Sequence, residues 1–230
     1  MLKKIFLEIK LRKEICSIGR LLFQRGFVAA NDGNISARLS EDEYLFTPTN
    51  VSKGAVKPRM LVKVDGRGNV VKGKMRVSSE SMMHLRVYKE NRDLKAVVHA
   101  HPQVATSYAI AGVPLDKALI TESVVLMGIV PVAPYGLPGS EALADTIAPY
   151  CNGYNSVLLK NHGVLSWGKD LKEAYFRMEI TENLAVIMKY NEEMFQGRGA
   201  LDKKQIEDLI RIREDLGIKG GGIPEGGHDG

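Results

Sequence analysis

The chain has 230 residues, 44% of them hydrophobic, enough for one sizeable core and so for one domain, with or without a tail. Its 32 Lys and Arg against 27 Asp and Glu are scattered, without an arginine-rich stripe or aromatic interleaving, which argues against a nucleic-acid partner. Cys16 and Cys151 are too few for a disulfide framework, and no apolar run reaches membrane-spanning length.

The opening run Met1-Leu2-Lys3-Lys4-Ile5-Phe6-Leu7-Glu8 is interrupted by charge too early for a signal peptide, so a reducing, cytoplasmic home is expected. Helical spacing over 8–26 predicts a first helix that stops at Gly26. After the turn Asn31-Asp32-Gly33-Asn34, short strands are expected at 35–39, 44–47, 61–64 and 70–71. Residues 78–90 read as a helix capped by Ser78 or Ser79, and 96–100 as a buried strand that ends before Pro102. A helix over 104–111, a strand at 129–133 and a helix over 140–150 follow. Then come a hairpin of 156–160 with 164–167 and two helices over 171–193 and 202–216. Helical and strand patterns alternate, which places the chain in the α/β class. The domain is expected over 1–218, with the glycine-rich segment 219–230 as a flexible tail.

Three of the five histidines sit at or beside the ends of strand-like runs. His99 and His101 are two residues apart, and on a strand such residues share a face, so their rings can close on one ion. His162 sits in the turn Lys160-Asn161-His162-Gly163. Three neutral imidazoles with an open fourth position suit catalytic zinc. His84 and His228 are not expected to take part.

Three further segments make sense beside a metal. Ser78-Ser79-Glu80 could bind phosphate through exposed N–H groups and two hydroxyls, although by itself it is also an ordinary helix start. Gly33-Asn34 permits close backbone approach and offers an amide. Thr47-Pro48-Thr49-Asn50 is a loop rich in hydroxyl and amide groups. A dinucleotide fingerprint and a P-loop are both absent.

In this order and spacing, from about residue 8 to 194, the chain resembles the class II aldolase/adducin-head family, specifically the fuculose-1-phosphate aldolase type. The resemblance implies a mainly antiparallel central sheet flanked by helices in three layers, assembled as a homotetramer with active sites at subunit interfaces. It implies that His99, His101 and His162 bind Zn²⁺ or another divalent metal, and that Glu80 is the general acid/base. It implies that Asn34, Thr49, Asn50, Ser78 and Ser79 line the site for the phosphate of a phosphorylated sugar. The expected reaction is retro-aldol cleavage of a ketose 1-phosphate to dihydroxyacetone phosphate and an aldehyde.

Several positions depart from that pattern. Asn50 stands where many such aldolases have glycine, and Val77 replaces a frequent proline. The tyrosines expected after the H-x-H helix and near the C-terminus are missing from Ile120-Thr121-Glu122-Ser123 and from Asp215-Leu216-Gly217. The group that protonates the aldehyde oxygen is thus unassigned, with Glu122 a candidate. Ribulose-5-phosphate 4-epimerase, dehydratase and decarboxylase activities therefore stand as alternatives. Epimerase relatives carry aspartate after the serine pair, so Glu80 favours the aldolase. Adducin-like heads lack the histidines, which sets a non-enzymatic reading aside.

Overall fold

A computed structural model describes residues 2–227. In chain order it contains α1 (Leu2–Gln24), β1 (Asn34–Ser40), β2 (Glu43–Phe46), β3 (Val62–Val64) and β4 (Val70–Lys72). Next come α2 (Ser81–Glu90), β5 (Ala96–Ala100), α3 (Gln103–Ala111), α4 (Thr121–Leu126), β6 (Val132–Ala133) and α5 (Glu141–Ile147). The hairpin β7 (Ser156–Leu159) and β8 (Gly163–Gly168) precedes α6 (Leu171–Phe195) and α7 (Lys203–Asp215). Side chains set several of these boundaries. Ser140, Asp170 and Asp202 each accept a backbone N–H at the start of α5, α6 and α7, and Asp202 with Gln205 completes a capping box.

The eight strands form one sheet in the order β4-β3-β2-β1-β5-β8-β7-β6. Every pairing is antiparallel except β6 with β7, as expected for a mainly antiparallel α/β sheet. Its two faces are covered separately. On one side Ile35, Ala37 and Val98 pack with Ile15 and Leu22 of α1 and Met178 and Leu184 of α6, a core that includes Cys16. On the other side Phe46, Val97, Leu165 and Trp167 pack with Met83 of α2 and Leu143 of α5, a core that includes Cys151. Each fully buried Leu, Ile or Val adds about 1.5–3 kcal/mol of transfer free energy, so the two layers together supply the main stabilisation.

The alternation of strand residues aims the chemistry. Ser36 points toward α2, because its hydroxyl meets the His84 and Tyr88 side chains there. Asn34, two residues earlier, shares that face, and His99 lies directly opposite Asn34 in the register of β1 with β5.

Two expectations from the sequence are revised. The helix expected from Ser78 begins at Ser81, with Glu80 rather than a serine at the N-cap position and no side-chain cap. The strand expected over 129–133 is reduced to Val132–Ala133, with an isolated bridge from Leu115 to Val130. The described part of the expected flexible tail is fastened to the body. Gly221 donates to Gly153 (2.8 Å) and Glu225 to Asp116 (2.7 Å), while Arg213 donates to the carbonyls of Gly220, Gly222 and Val124. Glycine-rich composition hides these contacts because the segment enters them through its backbone groups. His228 lies outside the described residues.

Candidate active site

The three histidines converge. His99, from wholly buried β5, and His101, just beyond its end, bring their Nε2 atoms to 3.0 Å. His162 arrives from the β7–β8 turn, its ring centroid 4.7 Å from that of His99 and 5.3 Å from that of His101. The turn sequence is explained residue by residue. Asn161 takes a left-handed φ of 57°, which Asn tolerates. Gly163 must lack a Cβ, since one there would sit 2.5 Å from the His101 ring and 2.7 Å from the Ala100 carbonyl oxygen. Gly33 is equally confined, with φ +71° and the His99 carbonyl oxygen 2.7 Å from where its Cβ would be.

Hydrogen bonding sets the tautomers of two rings. His99 Nδ1 lies 2.9 Å from the Val164 carbonyl, which can only accept, so Nδ1 carries the proton and Nε2 is a lone pair. His101 Nδ1 faces Asp32 Oδ2 at 3.5 Å, which favours the same tautomer. Two Nε2 lone pairs therefore face each other, a repulsive contact that a cation would relieve. Two nitrogens on one tetrahedral zinc, each bonded at 2.0–2.1 Å, stand ~3.3 Å apart. Burial holds both rings below the usual imidazole range, against the pull of Glu80, so both are neutral and competent as ligands near pH 7. His99, His101 and His162 thus form a group that could hold a divalent metal.

Glu80 closes the remaining side of the cluster. Oε1 lies 2.9 Å from His162 Nε2, and Oε2 lies 3.5 Å from His99 Nε2. The Asn34 amide donates to Oε2 at 2.6 Å and to Ser78 Oγ at 3.3 Å. Burial pushes the carboxyl up, but His99, His162 and the Asn34 amide more than offset this and hold it below the usual carboxylate range. Its backbone sits at φ −87°, ψ 7°, in the bridge region where active-site residues are common.

Of the other expected site residues, Ser78 reaches this group through the Asn34 amide. Pro48 bridges to Val77 and Thr49 N–H donates to the Arg76 carbonyl (3.0 Å), which lays the Thr49-Asn50 loop beside Ser78. Asn50 has φ 59°, so the glycine frequent there and the asparagine found here satisfy one backbone requirement. Ser78 is buried, whereas Ser79 is exposed and faces Gly139, where a Cβ would stand 3.2 Å from that of Ser79. Glu122 lies on α4, exposed, with the Thr121 hydroxyl donating to it.

Two residues near the site escaped sequence reasoning, Asp32 beside His101 and the buried Lys53. Burial pushes the Lys53 ammonium down to about 8, while Asp32 and Glu80 pull it back up. A lysine in a polar loop gives no sequence signal of burial.

His84 sits one turn along α2 from Glu80, wholly buried, its Nδ1 2.7 Å from Ser36 Oγ, which in turn lies 2.8 Å from the Tyr88 hydroxyl. Burial pushes its pKa from 6.5 to about 3, with Glu80 acting the other way. The depressed value stabilises the fold fully above about 6.5, the unfolded value. That contribution falls by up to about 1.4 kcal/mol per pH unit as pH drops toward the folded value. Urea unfolding at pH 7 and pH 5 should therefore show a smaller acid loss in His84→Gln than in the parent. Equal losses would remove His84 from the account.

The chain is 36% identical to the 3-oxo-tetronate 4-phosphate decarboxylase of Cupriavidus necator, covering 88% of this chain and 95% of that protein. It is 34% identical to the L-fuculose phosphate aldolase of Methanococcus maripaludis, covering 75% and 92%. Among solved structures, an L-fuculose 1-phosphate aldolase superposes with a TM-score of 0.81 at 28% identity, covering 89% of this chain and 96% of that one. Residues 13–188 match the profile of one family, and with these relatives they show that the chain belongs to the Class II Aldolase and Adducin N-terminal domain family.

Proposed function

We propose that the protein is a zinc-dependent aldolase that cleaves a ketose 1-phosphate of the fuculose 1-phosphate type to dihydroxyacetone phosphate and an aldehyde. The observation that carries this reading is the Glu80 carboxylate held by Asn34 against three clustered imidazoles. An ion bound by His99, His101 and His162 would supply Lewis-acid stabilisation of the negative charge that develops on the substrate oxygens.

The chain's own groups then divide the work. Asn34, Thr49, Asn50, Ser78 and Ser79 offer neutral donors to a phosphate and fix the sugar end-on. The hydroxyl on the far side of the scissile bond gives its proton to solvent as the carbon–carbon bond breaks and becomes the carbonyl of the aldehyde. The broken bond's electron pair forms a new carbon–carbon double bond, and the π pair of the ketone moves onto its oxygen. Glu80, once it has taken a proton from solvent, delivers it to the carbon left behind, and removes it in the reverse direction. The proposal includes a homotetramer with interfacial sites and a cytoplasmic location. Among the described residues no helix is long and apolar enough to cross a membrane.

A decarboxylase reading is favoured by one specific feature. Positions 120–123 and 215–217 offer no tyrosine to handle the proton of the aldehyde oxygen, and loss of CO2 from a 3-oxo acid needs no such group. Both reactions, on a 3-oxo-tetronate 4-phosphate or on a ketose 1-phosphate, leave dihydroxyacetone phosphate. The discriminating measurement is the co-product. Incubation with a panel of both substrate types should release an aldehyde and no CO2, and CO2 alone would assign the decarboxylase.

Phosphate recognition gives a further expected result. A hydrogen bond to a charged group is worth about 1.5–3 kcal/mol. Ser79→Ala should therefore raise KM for the phosphorylated ketose ~10-fold or more and leave its unphosphorylated analogue unaffected. Equal effects on both would return Ser79 to a role in loop structure.

A further inference from the structure

The second nitrogens of the three rings are held in different ways. His99 Nδ1 is fixed by the Val164 carbonyl inside the sheet, and His162 Nδ1 is buried without a hydrogen-bond partner among the described residues. His101 Nδ1 faces a carboxylate, Asp32 Oδ2, at 3.5 Å. His101 also lies beyond the last residue of β5, so the sheet does not hold its side chain as it holds that of His99.

Asp32 sits on a tight turn. Its N–H donates to the Ala29 carbonyl at 2.8 Å, between Ala30 at φ 45° and Gly33 at φ 71°. The Asp32 side chain is 44% exposed, so packing does not hold it. Lys53 supplies the restraint. The residue is only 1% exposed, and its Nζ donates to the Asn31 carbonyl at 2.8 Å and to the Val51 carbonyl at 2.7 Å. One acceptor immediately precedes Asp32, and the other immediately follows Asn50. Helix α1 closes over this arrangement at Gly19, where a Cβ would stand 2.6 Å from the Lys53 carbonyl oxygen. Burying an ammonium is costly, and a surface lysine would avoid that cost.

We infer that Asp32 and Lys53 are positioning residues of the metal centre: Asp32 orients the His101 ring through Nδ1, and Lys53 ties the Asp32 turn to the Thr49–Val51 loop. This rests on reading His99, His101 and His162 as metal ligands. A carboxylate on the far nitrogen of a ligating histidine fixes the ring and raises its basicity, and removing such a partner typically costs ~10–100-fold in metal affinity. Lys53 acts one step further out, through the backbone that carries Asp32. The same ammonium makes the metal-side turn and the substrate-side loop one unit.

The test is zinc affinity, measured by competition with a chromophoric chelator on the full chain, with the melting temperature of each metal-free variant as a check on folding. Asp32→Ala should weaken zinc ~10–100-fold, and Asp32→Asn less, since an amide oxygen still accepts from Nδ1–H without the charge. Lys53→Met should weaken zinc too, and the losses in Asp32→Ala/Lys53→Met should not multiply, because both act on one ring. In a His101→Ala background Asp32→Ala should change the residual affinity no further. Unaltered zinc affinity in Asp32→Ala, or an undiminished effect without the His101 ring, would overturn the inference. If Lys53→Met does not fold, the two Asp32 variants still decide the Asp32 step, and Lys53→Gln replaces it for the other. A parent chain that takes no zinc would strike the metal reading itself, a result distinct from tight parental binding with unaffected variants.

Discussion

Replacing Glu80 with Gln should lower turnover ~10²–10⁴-fold, the usual contribution of general acid–base catalysis, while zinc stays bound. The substitution keeps shape and most contacts. The Asn34 amide, which donates to Glu80 Oε2 at 2.6 Å, can donate equally to the new amide oxygen. What disappears is the ability to take up and release a proton. Exchange of the dihydroxyacetone phosphate proton with solvent should fall in parallel, because the same group performs it. Near-normal turnover and exchange would exclude Glu80 and move attention to Glu122, although that residue lies exposed on α4.

Removing one imidazole should have an equally large effect on the metal. Apparent zinc binding in four-ligand structural sites is worth ~10–16 kcal/mol, so loss of one protein ligand should weaken affinity by on the order of 10²–10³-fold. His162→Ala is the cleaner variant, since its side chain is 12% exposed on a turn, whereas that of His99 is 0% exposed in β5. Metal analysis after gel filtration should find neither variant loaded. Stoichiometric zinc in either folded variant would defeat the assignment. A His84 variant is the control that should keep its zinc, because that ring is spent on Ser36.

Legibility in the sequence followed the strength of local signals. β5 was plain, since an apolar run ending at Pro102 has few other readings. The histidines were legible as a group because H-x-H on a strand has one geometric consequence. Helix α4 was missed, as Thr121–Leu126 is only six residues long and its first turn carries polar side chains that read as loop. The start of α2 was misread because Ser78 and Ser79 are good caps in isolation. Here the Ser78 hydroxyl instead lies between the Glu80 N–H and the Asn34 amide, both at 3.3 Å. Asp32 and Lys53 were invisible for a related reason. Their meaning lies in contacts with His101, Asn31 and Val51, and nothing in their local sequence separates them from solvated loop charges.

The two thiols offer an unplanned reporter of how the three layers come apart. Cys16 is sealed in the core between α1 and α6, and Cys151 in the opposite core beneath α2 and α5. Both are free, and burial pushes Cys16 up and Cys151 up to about 12, so neither is a reactive thiolate in the folded state. An alkylating reagent can therefore label each only after its own layer opens. The order in which the two peptides gain mass would read out which side of the sheet is the weaker seam.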